Sequence, residues 1–206
     1  MKSNWPTKKQ YEECMDYKIR EIINRNGEEF YTKYFKKHRD DWNVLCASMD
    51  TLGDTSLAIS NFMEVGLGQT VGEKYLKLYG LLQAVFLQQD AVKSLFDVVK
   101  KSFNHKGKEK SLSDYERNNW ETLRSYRNLT SGHPIANTSF KKGKTKRVLI
   151  SRVTISTDGF QLLICDANND GLKFEDIQLK DLLKGYLIEA EIILTDIENF
   201  LNDYEL

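Results

Sequence analysis

The sequence predicts a mainly α protein, an antiparallel helical bundle with one β-hairpin inserted before the C-terminal helix. Three observations carry this. Apolar residues recur at three- and four-residue spacing through most of the 206 residues, and only two prolines, Pro6 and Pro134, interrupt them. A single stretch, at about 145–166, changes to β-branched runs on either side of an Asp-Gly pair. The length suits one domain, 1–206, with the hairpin as an elaboration.

Thr7 and Gln10 have the spacing of a capping box and open a first helix, which Asn26-Gly27 ends or kinks. The apolar pattern resumes at Glu28 and runs through Phe30, Tyr34, Trp42, Leu45 and Leu52 to a stop at Gly53. A short helix follows over Leu57 to Met63 and breaks at Gly66-Leu67-Gly68. Thr70 and Glu73 cap the longest helix, whose stripe includes Tyr75, Leu78, Leu82, Val85, Val92, Leu95 and Val99. Asn104 to Ser111 reads as a solvated turn. Ser113 and Glu116 then cap a helix carrying Trp120, Leu123 and Tyr126. After Pro134, "KRVLISRVTIS" and "FQLLIC" flank Thr157-Asp158-Gly159 as two strands. A lone hairpin is marginal in water, so it must pack on the helices or on a partner chain. Leu179, Leu183, Tyr186, Ala190, Ile193 and Ile197 line the last helix.

Lys+Arg and Asp+Glu both total 30, so the molecule as a whole has no net attraction for nucleic acid or anionic lipid. Any such binding rests on local patches. No apolar run approaches membrane-spanning length, and the N-terminal stretch has no apolar signal core; no membrane association is expected. Cys14, Cys46 and Cys165 lack ligand or disulfide spacing, which fits three ordinary thiols in a reduced cytoplasm.

Against this background "YRNLTSGHP", Tyr126 to Pro134, stands out, because the helical periodicity requires neither its Arg-Asn pair nor its Gly-His-Pro end. On a straight helix Arg127 and His133 lie about 120 degrees apart. The sequence supplies a break: Gly132 suits a left-handed C′ position and Pro134 forces His133 into an extended backbone, so the helix ends after Ser131 and His133 swings back toward Arg127. A guanidinium matches phosphate oxygens and an imidazole moves protons near neutrality. That pair suits RNA cleavage without a metal, with Asn128 orienting either partner. The competing reading is a helix end satisfied by Arg-Asn, followed by a plain turn.

Arg127-Asn128 followed by His133, late in a helix that long helices precede and a final helix follows, resembles the R-x(4–6)-H signature of the HEPN superfamily. The resemblance implies a helical bundle that dimerises with its two motifs facing each other, and metal-independent endoribonuclease activity in toxin–antitoxin or antiviral defence, with no cofactor. By position, Arg127 is expected to contact phosphate, Asn128 to assist, and His133 to act as acid and base. A homodimer, RNA or a nucleotide, and an antitoxin or defence protein are the implied partners. Two features depart from the family pattern: His133-Pro134-Ile135 stands where many toxin members carry His-x-Tyr, and the hairpin has no counterpart in the common core. A non-catalytic nucleotide-binding or protein-interaction module is the alternative.

Lys141, Lys142, Lys144, Lys146 and Arg147 follow the motif closely. They either guide an RNA backbone or form a solvated loop. Arg124, one turn before Arg127, offers a second phosphate contact or an ion pair. Asp166, Asn168, Asp170 and Gly171 have calcium-loop offsets, but Ile177 replaces the bidentate glutamate, so 166–177 reads as a polar turn. His38 and His105 read as surface residues. Asp90, beside Gln88 and Gln89, faces either the cleft or solvent.

Overall fold

The long apolar stripes become long helices. The computed structural model describes residues 14–102, 111–132, 146–166 and 171–203. Its helices are α1 (Tyr17–Phe30), α2 (Arg39–Val65), α3 (Val71–Ser102), α4 (Asn118–Arg127) and α5 (Leu179–Asp203). Strands β1 (Lys146–Ile150), β2 (Gly159–Asp166) and β3 (Leu172–Gln178) form an antiparallel sheet in the order β1-β2-β3, ahead of α5. The protein is thus mainly helical, with a small sheet where a hairpin is predicted. No described helix is long and apolar enough to cross a membrane. The box at Thr7 and Gln10 and the turn at 104–110 lie outside the described residues.

The chain divides into two compact units. The first draws on residues 1–58, 87–116 and 188–206. Gly27 kinks α1 with φ 39 and ψ −114, and the chain leaves through a π-helical turn, Tyr31–Phe35. Aromatic packing fixes that corner: Phe30, Tyr31 and Phe35 each lie 5.3–6.4 Å from Trp42, ring centre to ring centre. The expected stop at Gly53 does not occur, and α2 runs through it. Asp16, almost fully buried, packs beside this glycine at ordinary contact distance. Its carboxylate accepts from Arg20 Nε at 2.8 Å, and a Cβ on Gly53 would stand 3.5 Å from Asp16 Oδ1. The predicted Ser113–Glu116 cap is replaced by Ser111 and Asp114 around a short 3-10 turn, Leu112–Asp114. His38 is exposed, as expected, while His105 is outside the described residues.

The second unit comprises 59–86 and 117–187. The break after α2 falls at Gly66 (φ 68) and Gly68 (φ 96), and Glu73 N donates to Thr70 Oγ1 at 3.2 Å in the predicted cap of α3. β1 pairs with β2 from Lys146↔Asp166 to Ile150↔Leu162. The connection between them is longer than an Asp-Gly turn. Residues 151–158 lie against the helices: Leu67 N donates to Thr157 O at 2.8 Å, Lys74 Nζ to Ile155 O at 3.3 Å, and Leu179 N to Asp158 O at 3.0 Å. Within it, the Ser156 hydroxyl accepts from Gly159 N at 3.0 Å. The stretch read as a polar turn at 166–177 instead supplies β3, paired with β2 from Gly159↔Gln178 to Cys165↔Leu172. Val148, Phe160, Leu162 and Ile177 bury one face of this sheet.

Glycine replacements separate the two glycine roles. Gly53→Ala, in unobstructed helix, raises stability by about 0.5–1 kcal/mol. Gly66→Ala lowers it by at least about 1 kcal/mol, because its left-handed backbone disfavours a side chain and its Cβ would meet Thr157 O at 2.7 Å. Denaturant midpoints of the two variants test both signs; a loss at Gly53 would contradict the continuous helix.

Candidate functional site

The motif helix α4 is short, with Trp120 and Leu123 buried and Trp120 edge-on to Tyr186 at 5.7 Å. It ends at Arg127, where the backbone widens into a π-helical turn, Asn128–Gly132. The hydroxyls of Thr130 and Ser131 donate back to Tyr126 O at 2.7 Å and Arg127 O at 3.1 Å. They add side-chain donors to two carbonyls at the junction of the α- and π-helical turns. The expected end after Ser131 does not occur: the backbone changes from α to π at Asn128 and stays helical through Gly132, and the expected swing of His133 lies outside the described residues. Gly132 is not left-handed: it closes the π-turn without a positive φ. Its hydrogen is needed for space, because a Cβ there would stand 2.7 Å from Arg127 Nη1.

The room left by Gly132 holds the Arg127 guanidinium. Its Nε and Nη2 donate to Gln83 Oε1 at 3.3 and 3.1 Å, and Nη1 donates to Asn128 Oδ1 at 3.1 Å. The group lies 4.2 Å from the Phe86 ring centre, and Arg124 lies 4.3 Å from the same ring. Two cations thus pack on one aromatic ring, with α3 supplying both the ring and the amide. The partners of Arg127 are neutral, and among the described residues no carboxylate pairs with it. Three of the five N–H groups of a guanidinium are engaged this way, which leaves two for a bound anion. A half-buried guanidinium held by neutral acceptors has the charge and fork geometry that suit a phosphate or a carboxylate.

The sheet reaches the same place. β1 lies against the π-turn, and from β3 Glu175 accepts the hydroxyl of Tyr126, the neighbour of Arg127. Burial, then the hydrogen bond to Glu175 and its charge, raise the Tyr126 pKa above the ordinary phenol range.

Of the residues singled out from sequence, the structure brings Arg124, Arg127 and Asn128 together. Arg147 is exposed on β1, opposite Cys165. Lys146 opens β1, and His133, Lys141, Lys142 and Lys144 lie outside the described residues. Gln88 and Gln89 are fully buried in the first unit and Asp90 beside them is half-buried. Gln83 escapes sequence reading, although a glutamine between Leu82 and Ala84 in an apolar stretch is a visible polar interruption, and Phe86 reads from sequence only as part of the apolar stripe of the long helix, not as a support for the arginines. Among the described residues no cluster of side chains could hold a metal ion.

Two outcomes follow from this geometry. Gly132→Ala displaces the guanidinium from Asn128 at little cost in stability, since the end of an arginine moves freely, and weakens binding of inorganic phosphate or a dinucleotide on the order of tenfold by calorimetry. The folded protein also holds the Tyr126 proton more tightly than the unfolded chain, so stability present below about pH 10 is lost as pH rises beyond it. Tyr126→Phe shallows that alkaline decline in chemical denaturation, and an unchanged slope would rule out the Glu175 contact.

No family model, no curated protein and no solved structure matches this chain, so its functional reading rests on the residues and geometry just described.

Proposed function

We propose that the protein is a metal-independent endoribonuclease of HEPN type, working in the cytoplasm as a homodimer and serving as a toxin or defence effector held in check by a partner protein. One observation supports this above the others: Arg127 is fixed by neutral acceptors and an aromatic ring, so its charge is available to a phosphodiester. In the proposed reaction the 2′-oxygen of a ribose bonds to the adjacent phosphorus while the bond to the 5′-oxygen breaks. His133 takes the 2′-hydroxyl proton or delivers one to the leaving oxygen. Arg127 offsets the charge that gathers on the phosphorane oxygens. Asn128 and Gln83 hold the guanidinium in place, and Arg124 adds a second positive charge beside it. Lys141, Lys142, Lys144, Lys146 and Arg147 serve the flanking backbone, which makes binding strongly salt-dependent.

The seat of Arg127 suits holding a phosphate as well as turning one over, which favours a second reading as a non-catalytic nucleotide-binding or interaction module. Cleavage decides between them. In EDTA the purified protein cuts single-stranded RNA and leaves cyclic-phosphate ends. His133→Ala lowers the rate by at least about a hundredfold with the fold intact. Arg127→Lys keeps the charge but loses the fork and also falls well below wild type. Undiminished cutting by His133→Ala defeats the assignment. RNA binding without cleavage by the wild type selects the second reading.

A further inference from the structure

The third strand of the sheet is unusually bare. β3 spans seven residues, and 172–176 are all exposed, so side chains of both sheet faces meet solvent. The opposite edge of the sheet differs, since β1 lies against the π-turn. β2 covers one side of β3, and among the described residues no other strand pairs with it. An exposed edge of this length without proline offers a row of backbone donors and acceptors to another strand. Its outer face is also apolar: Leu149, Leu163 and Phe174 stand opposite one another across all three strands, with Leu149 50% and Phe174 59% exposed. Leu172, 61% exposed, lies beside Phe174 on that face.

We propose that β3 is a homodimer interface, pairing antiparallel with β3 of a second copy about a two-fold axis at Phe174. The charge pattern of the strand identifies this occupant. In Leu172-Lys173-Phe174-Glu175-Asp176, antiparallel self-pairing centred on Phe174 sets Lys173 opposite the partner subunit's Glu175, and Glu175 opposite the partner subunit's Lys173. Two cross-strand ion pairs form on one face, while Phe174 meets Phe174 of the partner subunit on the other. The central residues Lys173-Phe174-Glu175 are their own complement, which is what an isologous contact requires, while Leu172 stands opposite Asp176 of the partner subunit at the rim. Two three-stranded sheets become one of six strands, and the apolar row of Leu149, Leu163 and Phe174 continues through the axis. Glu175 also holds Tyr126, so the contact is built next to α4 in each copy. The inference rests on the homodimer of the proposed function but not on RNA cleavage.

Light scattering and sedimentation of the full chain over a range of concentrations test it. The wild type is expected to be dimeric. Lys173→Glu places like charges opposite each other twice and weakens the dimer at least on the order of tenfold, with helix content unchanged. Combining Lys173→Glu with Glu175→Lys restores opposite charges and restores the dimer. Tyr126→Phe remains dimeric, which separates loss of the Tyr126 bond from loss of the interface. A monomeric wild type, a dimer indifferent to Lys173→Glu, or a double variant that stays monomeric overturns the proposal. His133→Ala dimerises like wild type, so an inactive wild-type dimer sinks RNA cleavage alone, and an active monomer sinks the interface and the homodimer but not RNA cleavage.

Discussion

A planar cation lying on a phenyl ring is the constraint around which the second unit is arranged. The Arg127 guanidinium needs a flat apolar support, acceptors that orient it without cancelling its charge, and empty space beside it. Phe86 gives the support, the amide oxygens of Gln83 and Asn128 give the orientation, and Gly132 gives the space. An aspartate or glutamate in place of either amide would hold the arginine more strongly and neutralise it. The wider π-turn that follows Arg127 changes the helical ladder inside the motif.

The sheet makes sense as part of that same arrangement. Two strands alone would be marginal, but three strands bury Val148, Phe160, Leu162 and Ile177 on one side and brace the motif from two directions. β1 meets the π-turn and β3 holds Tyr126 through Glu175. The 151–158 connection anchors the sheet to the Gly66-Leu67 break and to the start of α5, with Lys180 and Asp158 adding an ion pair at 2.8 Å. The glycines at 66 and 159 allow these close approaches, since a Cβ on Gly159 would meet the backbone of Ile177.

Much of this was legible from residue order, where the signal is local. The stripes of α3 and α5, the Gly66–Gly68 break and the Thr70–Glu73 cap each depend on neighbours a few positions apart. The Arg127-Asn128 pair was visible for the same reason. What stayed hidden depends on distant partners. Gly53 resembles a helix stop, yet the helix runs through it, with Asp16, 37 residues earlier in the chain, packed beside it. Gly132 resembles a left-handed cap until the guanidinium is found in its space. β3 alternates over Leu172-Lys173-Phe174-Glu175 and then switches phase at Asp176-Ile177, so it does not read as a half-buried strand with one apolar face. Gln83 has no periodicity to reveal it and acquires meaning only from Arg127, 44 residues later.

The first unit holds a feature of another kind. Gln88 is completely enclosed and its amide donates to the buried Ser56 hydroxyl at 3.3 Å, which in turn accepts from Met15 N at 3.4 Å. Leucines at these places would pack tolerably in several alignments of α3 along α2. An amide in a dry interior tolerates one, because sliding by a helical turn strands its polar atoms at roughly 1–3 kcal/mol each. This polar rung therefore acts as a detent: it adds little to the depth of the folded well but rules out the neighbouring wells that an all-hydrocarbon seam would leave nearly degenerate.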